Sequence, residues 1–250
     1  MSVTAILTAA GYATRLLPWS YSIPKEMLPV PINGRLIPAI QYVFEYLYDL
    51  GIRDFVIVTR KYKEVIMNHF SVDYWFIDYL KSLNKIREAE EVQGFFEKIE
   101  DSTISFVPSP PNGFGGAVLA AEKHVNTDFV FIAAPDMLLL EKVPINDNTV
   151  FVSTSTTPEK YGVVYGSTFL ERIDEKPSNP TSNKIFLGYA VLDTEIFSFL
   201  REVKPDKNGE IQLTPAISNM AKKKKIRVYE VKKYYDIGNV QSYLEFLKNS

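Results

Sequence analysis

Residues 7–31 read LTAAGYATRLLPWSYSIPKEMLPVP. A short apolar strand over residues 3–7 feeds a turn of small residues, Thr8-Ala9-Ala10-Gly11. Arg15 follows, and then Lys25 inside Pro24-Lys25-Glu26-Met27-Leu28-Pro29. Small residues let backbone N–H groups approach a phosphate closely, and fixed cations beside them neutralise its charge. The stretch therefore reads as a nucleoside-triphosphate site at the end of a sheet strand.

Working outward, strands and helices alternate. Residues 38–50 suit a helix, 54–58 a strand, 63–70 a helix and 105–107 a short strand. Residues 115–123, rich in Ala, Val and Leu, suit a helix, and 129–133 a buried strand that runs into Pro135-Asp136. This order predicts an α/β fold: a Rossmann-like, mixed, mostly parallel sheet flanked by helices. Gly11 and Asp136 both fall at carboxyl ends of strands, where such sheets bind ligands. Residues 73–101 are aromatic and charged, with a spacing that suits one or two amphipathic helices. The second half carries shorter strands near 150–155, 162–165, 169–174 and 185–191. Helices over 195–200 and 213–220, a strand over 226–231 and a last helix over 240–247 complete it. No linker divides the chain, so residues 1–250 are expected to form a single domain. No hexapeptide repeat appears, and no C-terminal β-helix is expected.

The chain has 250 residues, 46% of them hydrophobic, enough for the core of one α/β domain. A net charge of −2 gives no global basic field for nucleic acid. The run Lys222-Lys223-Lys224-Lys225 reads as a solvated helix end. The absence of cysteine excludes disulfides, Cys–Zn sites and thiol nucleophiles. With a first strand starting almost at Met1, no signal peptide is expected, and the reading is a cytoplasmic protein. No apolar run is long enough to span a bilayer, so no membrane partner is expected. The two histidines, His69 and His124, fall in helical patterns and read as packing or surface groups. Ser–His–Asp chemistry is poorly supported.

The residues Gly11-Tyr12-Ala13-Thr14-Arg15 and Pro24 to Pro29 resemble the G-x-G-T-R…P-K-x-M-L-P motif of sugar-1-phosphate nucleotidyltransferases. The likeness is nearest to the bacterial-type UTP–glucose-1-phosphate uridylyltransferases, with the glucose-1-phosphate thymidylyltransferases second. It continues in family order through Ile40-Gln41-Tyr42-Val43, Asn68-His69-Phe70, Gly113 to Leu119, Pro135-Asp136 and Tyr161-Gly162-Val163-Val164. Glu175-Lys176-Pro177, Gly188-Tyr189, Glu210 to Thr214 and Asp236-Ile237-Gly238-Asn239 follow. Thymidylyltransferases have only a short connection where residues 73–101 stand, so this helical insertion favours the uridylyl branch.

The resemblance implies the nucleotide-diphospho-sugar transferase fold, with residues 1–135 as the nucleotide half and 136–250 as the sugar-phosphate half. It implies attack by a sugar-1-phosphate oxygen on the α-phosphorus of UTP, with Mg²⁺ as cofactor and pyrophosphate as leaving group. Such a reaction asks the protein for alignment and charge stabilisation. Ala10, Gly11, Ala13 and Thr14 would cradle the triphosphate. Arg15 would meet the β- and γ-phosphates, and Lys25 the α-phosphate. Glu26 would face the nucleoside, with Ser109 and Gly113 at the base. Asp136 and Asp236 would hold the metal. Lys176 would hold the phosphate of the sugar 1-phosphate as a third catalytic cation, and Glu175 would accept from sugar hydroxyls. Gly162 and Gly188 would let backbone approach the hexose, and Glu210 divides between helix capping and a sugar contact. The polar loop 178–183 reads as a flap on the sugar side. A homo-oligomer is the expected assembly.

Two positions depart from the family pattern. Ala13 replaces the second glycine of G-x-G-T-R, and alanine resists positive φ. Pro108 stands where relatives usually place a glutamine that reads the pyrimidine edge. Base reading then falls to backbone groups, Ser109 or another side chain. This leaves a thymidylyltransferase, or an enzyme using both UTP and dTTP, as the alternative. A non-catalytic sugar-nucleotide sensor would not need Arg15, Lys25, Asp136, Lys176 and Asp236 together. A nicotinamide-dependent dehydrogenase would need G-x-G-x-x-G after the first strand and an acidic residue where Val58-Thr59-Arg60 stands.

Overall fold

Strand β1 (Val3–Thr8) sends Ala5 and Leu7 into one apolar layer and Ile6 into the other. That period of two organises the whole molecule. The computed structural model describes residues 2–249, and every count below refers to them. After β1 come a hairpin, β2 (Pro29–Ile32) and β3 (Arg35–Pro38), then α1 (Ala39–Asp49), β4 (Asp54–Thr59) and α2 (Glu64–His69). The insertion folds as α3 (Tyr74–Ser82) and α4 (Ile86–Glu100). Then follow β5 (Thr103–Pro108), α5 (Phe114–Ala120), β6 (Phe129–Ala133) and β7 (Met137–Leu139). The second half holds β8 (Thr149–Thr154), β9 (Gly162–Gly166), β10 (Leu170–Glu175) and β11 (Lys184–Asp193). It ends with α6 (Ile196–Glu202), α7 (Leu213–Ala221), β12 (Arg227–Glu230), β13 (Tyr234–Asp236) and α8 (Val240–Asn249).

Nine strands make one mixed sheet in the order β10-β9-β11-β6-β1-β4-β5, with β8 paired to β11 and β12 paired to β8. Seven strands run one way; only β10 and β11 are reversed. The four neighbours β6, β1, β4 and β5 are parallel and joined by helical crossovers, the Rossmann-like part. Phe55, Ile57, Phe131 and Ala133 point with Leu7 toward α1, α3, α4 and α8. Val56, Val58, Val130 and Ile132 point with Ile6 toward α5, α6 and α7. Both faces of the sheet are thereby covered.

The insertion is part of the core. Phe95 and Phe96 of α4 are buried, and Phe95 meets the rings of Phe44 and Phe70 edge-on. His69 stacks on Phe95, and its Nε2 lies 3.0 Å from Gln41 Oε1. Burial pulls its pKa down to about 4, so it packs as a neutral ring.

The expected βαβαβ order is present, and the insertion, expected as one or two helices, folds as two. The helix expected over 115–123 stops at Ala120, and a 3₁₀ turn, Glu122–His124, replaces its end. Two features went unread. The hairpin β2–β3 turns on Asn33-Gly34, with φ of 53° and 73°, a turn that Asn-Gly favours. Its prolines masked the strand pattern, although the Asn-Gly pair was in plain view. The β7–β13 pair joins two three-residue strands, too short to show a period. It matters most, because its register sets Asp236 opposite Met137, the neighbour of Asp136.

Candidate active site

A cleft of about 750 Å³ opens at the carboxyl ends of β1 and β6. The small-residue loop after β1 forms its roof, and Ala9 N–H ties that loop to Val58 O of β4 at 2.7 Å. Ala10, Gly11, Ala13, Thr14 and Arg15 all line the cleft. A Cβ placed on Gly11 would meet nothing within 4 Å, so the space above it is open. Ala13 sits at φ 54°, ψ 43°, the left-handed conformation. Alanine here takes the geometry that glycine would adopt without strain, at a cost of about 1–2 kcal/mol. Ser20 Oγ and the N–H of Leu16 both donate to Ala13 O, which fixes the loop in that shape.

Below the loop, charges converge on Gly238. A Cβ there would lie 2.7 Å from Asp136 Oδ2, 3.1 Å from Asp236 Oδ1 and 3.4 Å from Arg15 Nη2. Lys25 Nζ donates to Asp136 Oδ2 at 2.6 Å. Burial disfavours the Asp136 carboxylate, but Lys25 and then Arg15 outweigh it and hold its pKa below the ordinary value. Burial likewise works against the Lys25 ammonium, and Asp136 with Glu26 holds it above its usual range. Both groups therefore stay ionised. Asp236 is oriented on both oxygens: Gly238 N–H donates to Oδ1 and Tyr161 O–H to Oδ2, each at 2.8 Å. Burial, reinforced by Asp236, pushes the Tyr161 phenol well up, so it remains a donor.

Lys176 and Glu175, at the end of β10, also line the cleft. Lys176 has φ 43° and lies 3.4 Å from Glu175 Oε1 with most of its side chain in solvent. Thr214 Oγ1 donates to Glu175 Oε2 at 2.9 Å. Gly162 and Gly188 line it as well, and a Cβ on Gly188 would press within 2.9 Å of Ala134. Glu210 also lines the cleft. Gly113 lines it too, with φ 91°; a Cβ there would fall 2.6 Å from Ile211 O, so only glycine lets the 210–212 segment pass.

Two expected site residues stand elsewhere. Glu26 is fully buried and paired to Lys63 at 2.8 Å, turned away from the cleft. The expectation that it faces the nucleoside is corrected by that pairing: a carboxylate beside an apolar core needs an internal cation. Ser109 is 4% exposed, and its hydroxyl donates to Pro110 O at 3.0 Å, so it lies outside the cleft wall. Pro108 closes edge strand β5, opposite Thr59, a place where a missing N–H is tolerated. Sequence reading missed Tyr161, Thr214 and Lys63. Tyr161 and Thr214 stand inside the family-order blocks Tyr161–Val164 and Glu210–Thr214; Lys63 carries no local signal.

Two hard carboxylates facing one another across Gly238 suit a divalent cation that takes one or two carboxylates and completes its shell from phosphates and water. No group of three or more His, Cys, Asp or Glu forms a full protein cage among the described residues.

A Rossmann-like sheet with cations and a carboxylate pair at its ligand edge defines a nucleotide-handling α/β transferase. The chain belongs to the nucleotidyl transferase family, whose model matches residues 4–250. It is 31% identical over 261 residues to a UTP–glucose-1-phosphate uridylyltransferase of Bacillus subtilis, covering 94% of this chain and 86% of that one. A uridylyltransferase of Pseudomonas aeruginosa is 29% identical over 265 residues, covering 96% and 92%. A crystal structure of UDP-glucose pyrophosphorylase complexed with UDP-glucose superposes with a TM-score of 0.85 at 29% identity, covering 100% of this chain and 98% of that one. A UTP-bound UGPase from Acinetobacter baumannii gives 0.84 at 28% identity, covering 100% and 93%. Among the described residues no helix is long and apolar enough to cross a membrane.

Proposed function

We infer that the chain is a UTP–glucose-1-phosphate uridylyltransferase, which makes UDP-glucose and pyrophosphate from UTP and glucose 1-phosphate. One observation carries the reading: a single cleft is lined by an anion loop with Arg15 and Lys25 and, from the other half of the chain, by Lys176 with Glu175. Two anions set in line across such a cleft meet the needs of nucleotidyl transfer. In this reading residues 1–135 hold the nucleotide and 136–250 the sugar phosphate. Lys176 steadies the sugar phosphate, and one of its oxygens forms a bond to the α-phosphorus. The bond from that phosphorus to the bridging oxygen breaks, and the electron pair leaves with pyrophosphate. Arg15 and the backbone around Gly11 stabilise that charge. Asp136 and Asp236 would hold a divalent cation, read here as Mg²⁺, which when bound supplies positive charge to the phosphate oxygens. Tyr161 and Gly238 N–H keep Asp236 aimed at the cleft.

Ser109 is turned inward, so backbone groups near Gly113 are the base readers we propose, and dTTP stands as a second substrate. The apolar side chains that α8 exposes, Val240, Leu244 and Leu247, support a homo-oligomer. The deciding experiment is turnover of glucose 1-phosphate with UTP, dTTP, ATP, CTP and GTP, following pyrophosphate release. UTP is expected to be the best substrate and dTTP the second. Turnover with a purine nucleotide alone, or with none, would sink the assignment.

A further inference from the structure

Lys63 touches neither end of the cleft, yet it bonds to the segments that build the triphosphate end. It stands just before α2, with its ammonium inside the protein. Its Nζ donates to Ala9 O at 2.6 Å and to Glu26 Oε2 at 2.8 Å. Ala9 belongs to the small-residue turn that leads to Gly11. Glu26 follows Lys25 on the single 3₁₀ turn Lys25–Met27. One ammonium thus ties together three segments that are remote in sequence. With Glu26 held inward, the preceding Lys25 is presented to Asp136 on the cleft side.

This arrangement is an expensive way to fill a core. Side-chain exposure is 3% for Lys63 and 0% for Glu26. Burial pulls the lysine below its ordinary pKa, against the attraction of Glu26. The second carboxylate oxygen, Glu26 Oε1, is buried without a hydrogen-bond partner. Replacing a buried ion pair by apolar residues of similar volume is often neutral or stabilising. An apolar pair could not, however, donate to the carbonyl of Ala9. What the charges add over a methionine and a leucine is a fixed separation between the anion loop and Lys25.

We propose that Lys63 is a positioning residue for nucleotidyl transfer, acting through Ala9 and Glu26 to hold the anion loop and Lys25 in register. The proposal rests on the uridylyltransferase reading for its effect on rate, but the tether can be read without turnover. Lys63→Met alone would strand the buried Glu26 charge and lose the fold, so the informative variant is Lys63→Met with Glu26→Leu. That double variant is expected to melt close to the wild type. Its kcat with UTP should fall about ten- to a hundredfold, the scale of a small misplacement of reacting groups. Its KM for glucose 1-phosphate should stay within about twofold. The amide hydrogens of residues 11–14 should exchange faster than in the wild type. A stable double variant with wild-type kcat and unchanged amide exchange overturns the proposal. So does activity that falls only in proportion to the folded fraction. If the wild type itself fails to turn over UTP, the functional reading fails, and amide exchange alone still decides the tether.

Discussion

The triphosphate and sugar-phosphate ends assigned to the cleft hold their lysines in opposite ways. Lys25 is 17% exposed, locked to Asp136 at 2.6 Å, and sits on a turn whose next residue is pinned in the core. Lys176 is 63% exposed and only loosely paired, 3.4 Å from Glu175. A phosphate arriving at the first end must share or displace a carboxylate that already holds the cation. One arriving at the second meets a cation that is largely uncommitted. Charge at the first end is therefore part of the fold, and removing it disturbs stability and chemistry together. Charge at the second end is separable, because an exposed ion pair contributes little to stability.

The largest effects are expected where the comparison is most severe. Asp136→Asn and Asp236→Asn should each lower kcat by roughly a hundredfold or more, since both carboxylates are assigned to the divalent cation. Their melting points should part company. Asp136→Asn takes the counter-charge from the largely buried Lys25 and is expected to cost about 1–3 kcal/mol. Asp236→Asn can keep its oxygen for Gly238 N–H and donate its amide to the Tyr161 oxygen, so it should melt near the wild type. Steady-state turnover with Mg²⁺ and thermal denaturation check both halves. Near wild-type rates in the two variants would take the pair out of the site, and equal melting points would break the contrast.

Lys176→Ala tests the separable end. A charge-assisted hydrogen bond to phosphate is worth about 1.5–3 kcal/mol, so the KM for glucose 1-phosphate should rise roughly ten- to a hundredfold. The KM for UTP and the melting point should hardly change. Lys176→Arg should restore only part of the affinity, because a planar fork does not reproduce a compact ammonium. Equal shifts in both Michaelis constants would mean that the ends are coupled and the comparison is wrong.

The same contrast governs what the sequence made legible. Gly11, Arg15, Lys25, Asp136, Lys176 and Asp236 could be read because each sits in a short motif that matches the family pattern. The structure brings all of them to one cleft. The sheet and its two helical layers were legible from the alternation of strands such as β1 and β4 with apolar helices. What escaped was whatever depends on contact across the chain. No spacing links Lys63 to Glu26 or to Ala9. Glu26 was misplaced for that reason, since its motif gives it a position but not a partner. Ser109 was misplaced because a serine beside prolines looks available until its hydroxyl finds Pro110 O. The β7–β13 pair, which sets the two carboxylates side by side, joins strands of three residues separated by most of the second half.

The smallest expected effect concerns a feature both ends share. Each cation station has a left-handed residue that is not glycine: Ala13 at φ 54° in the anion loop and Lys176 itself at φ 43°. At Lys176 the side chain is assigned to substrate, so replacing it confounds strain with chemistry. At Ala13 the two separate. Ala13→Gly removes a left-handed penalty of about 1–2 kcal/mol. It also frees the unfolded chain, which offsets about 0.4–1 kcal/mol of that gain. The net expectation is a stabilisation of about 0.5 kcal/mol, a shift of about a degree in melting for a domain of this size. Turnover should be unchanged, because Ser20 and Leu16 still hold the carbonyl of residue 13. Denaturant unfolding of the two chains side by side has the resolution for the sign. A loss of stability would mean that the loop relaxes out of the left-handed geometry in solution. The anion loop would then be less rigid than the interlocked charges below it, and the contrast between the two ends of the cleft would narrow.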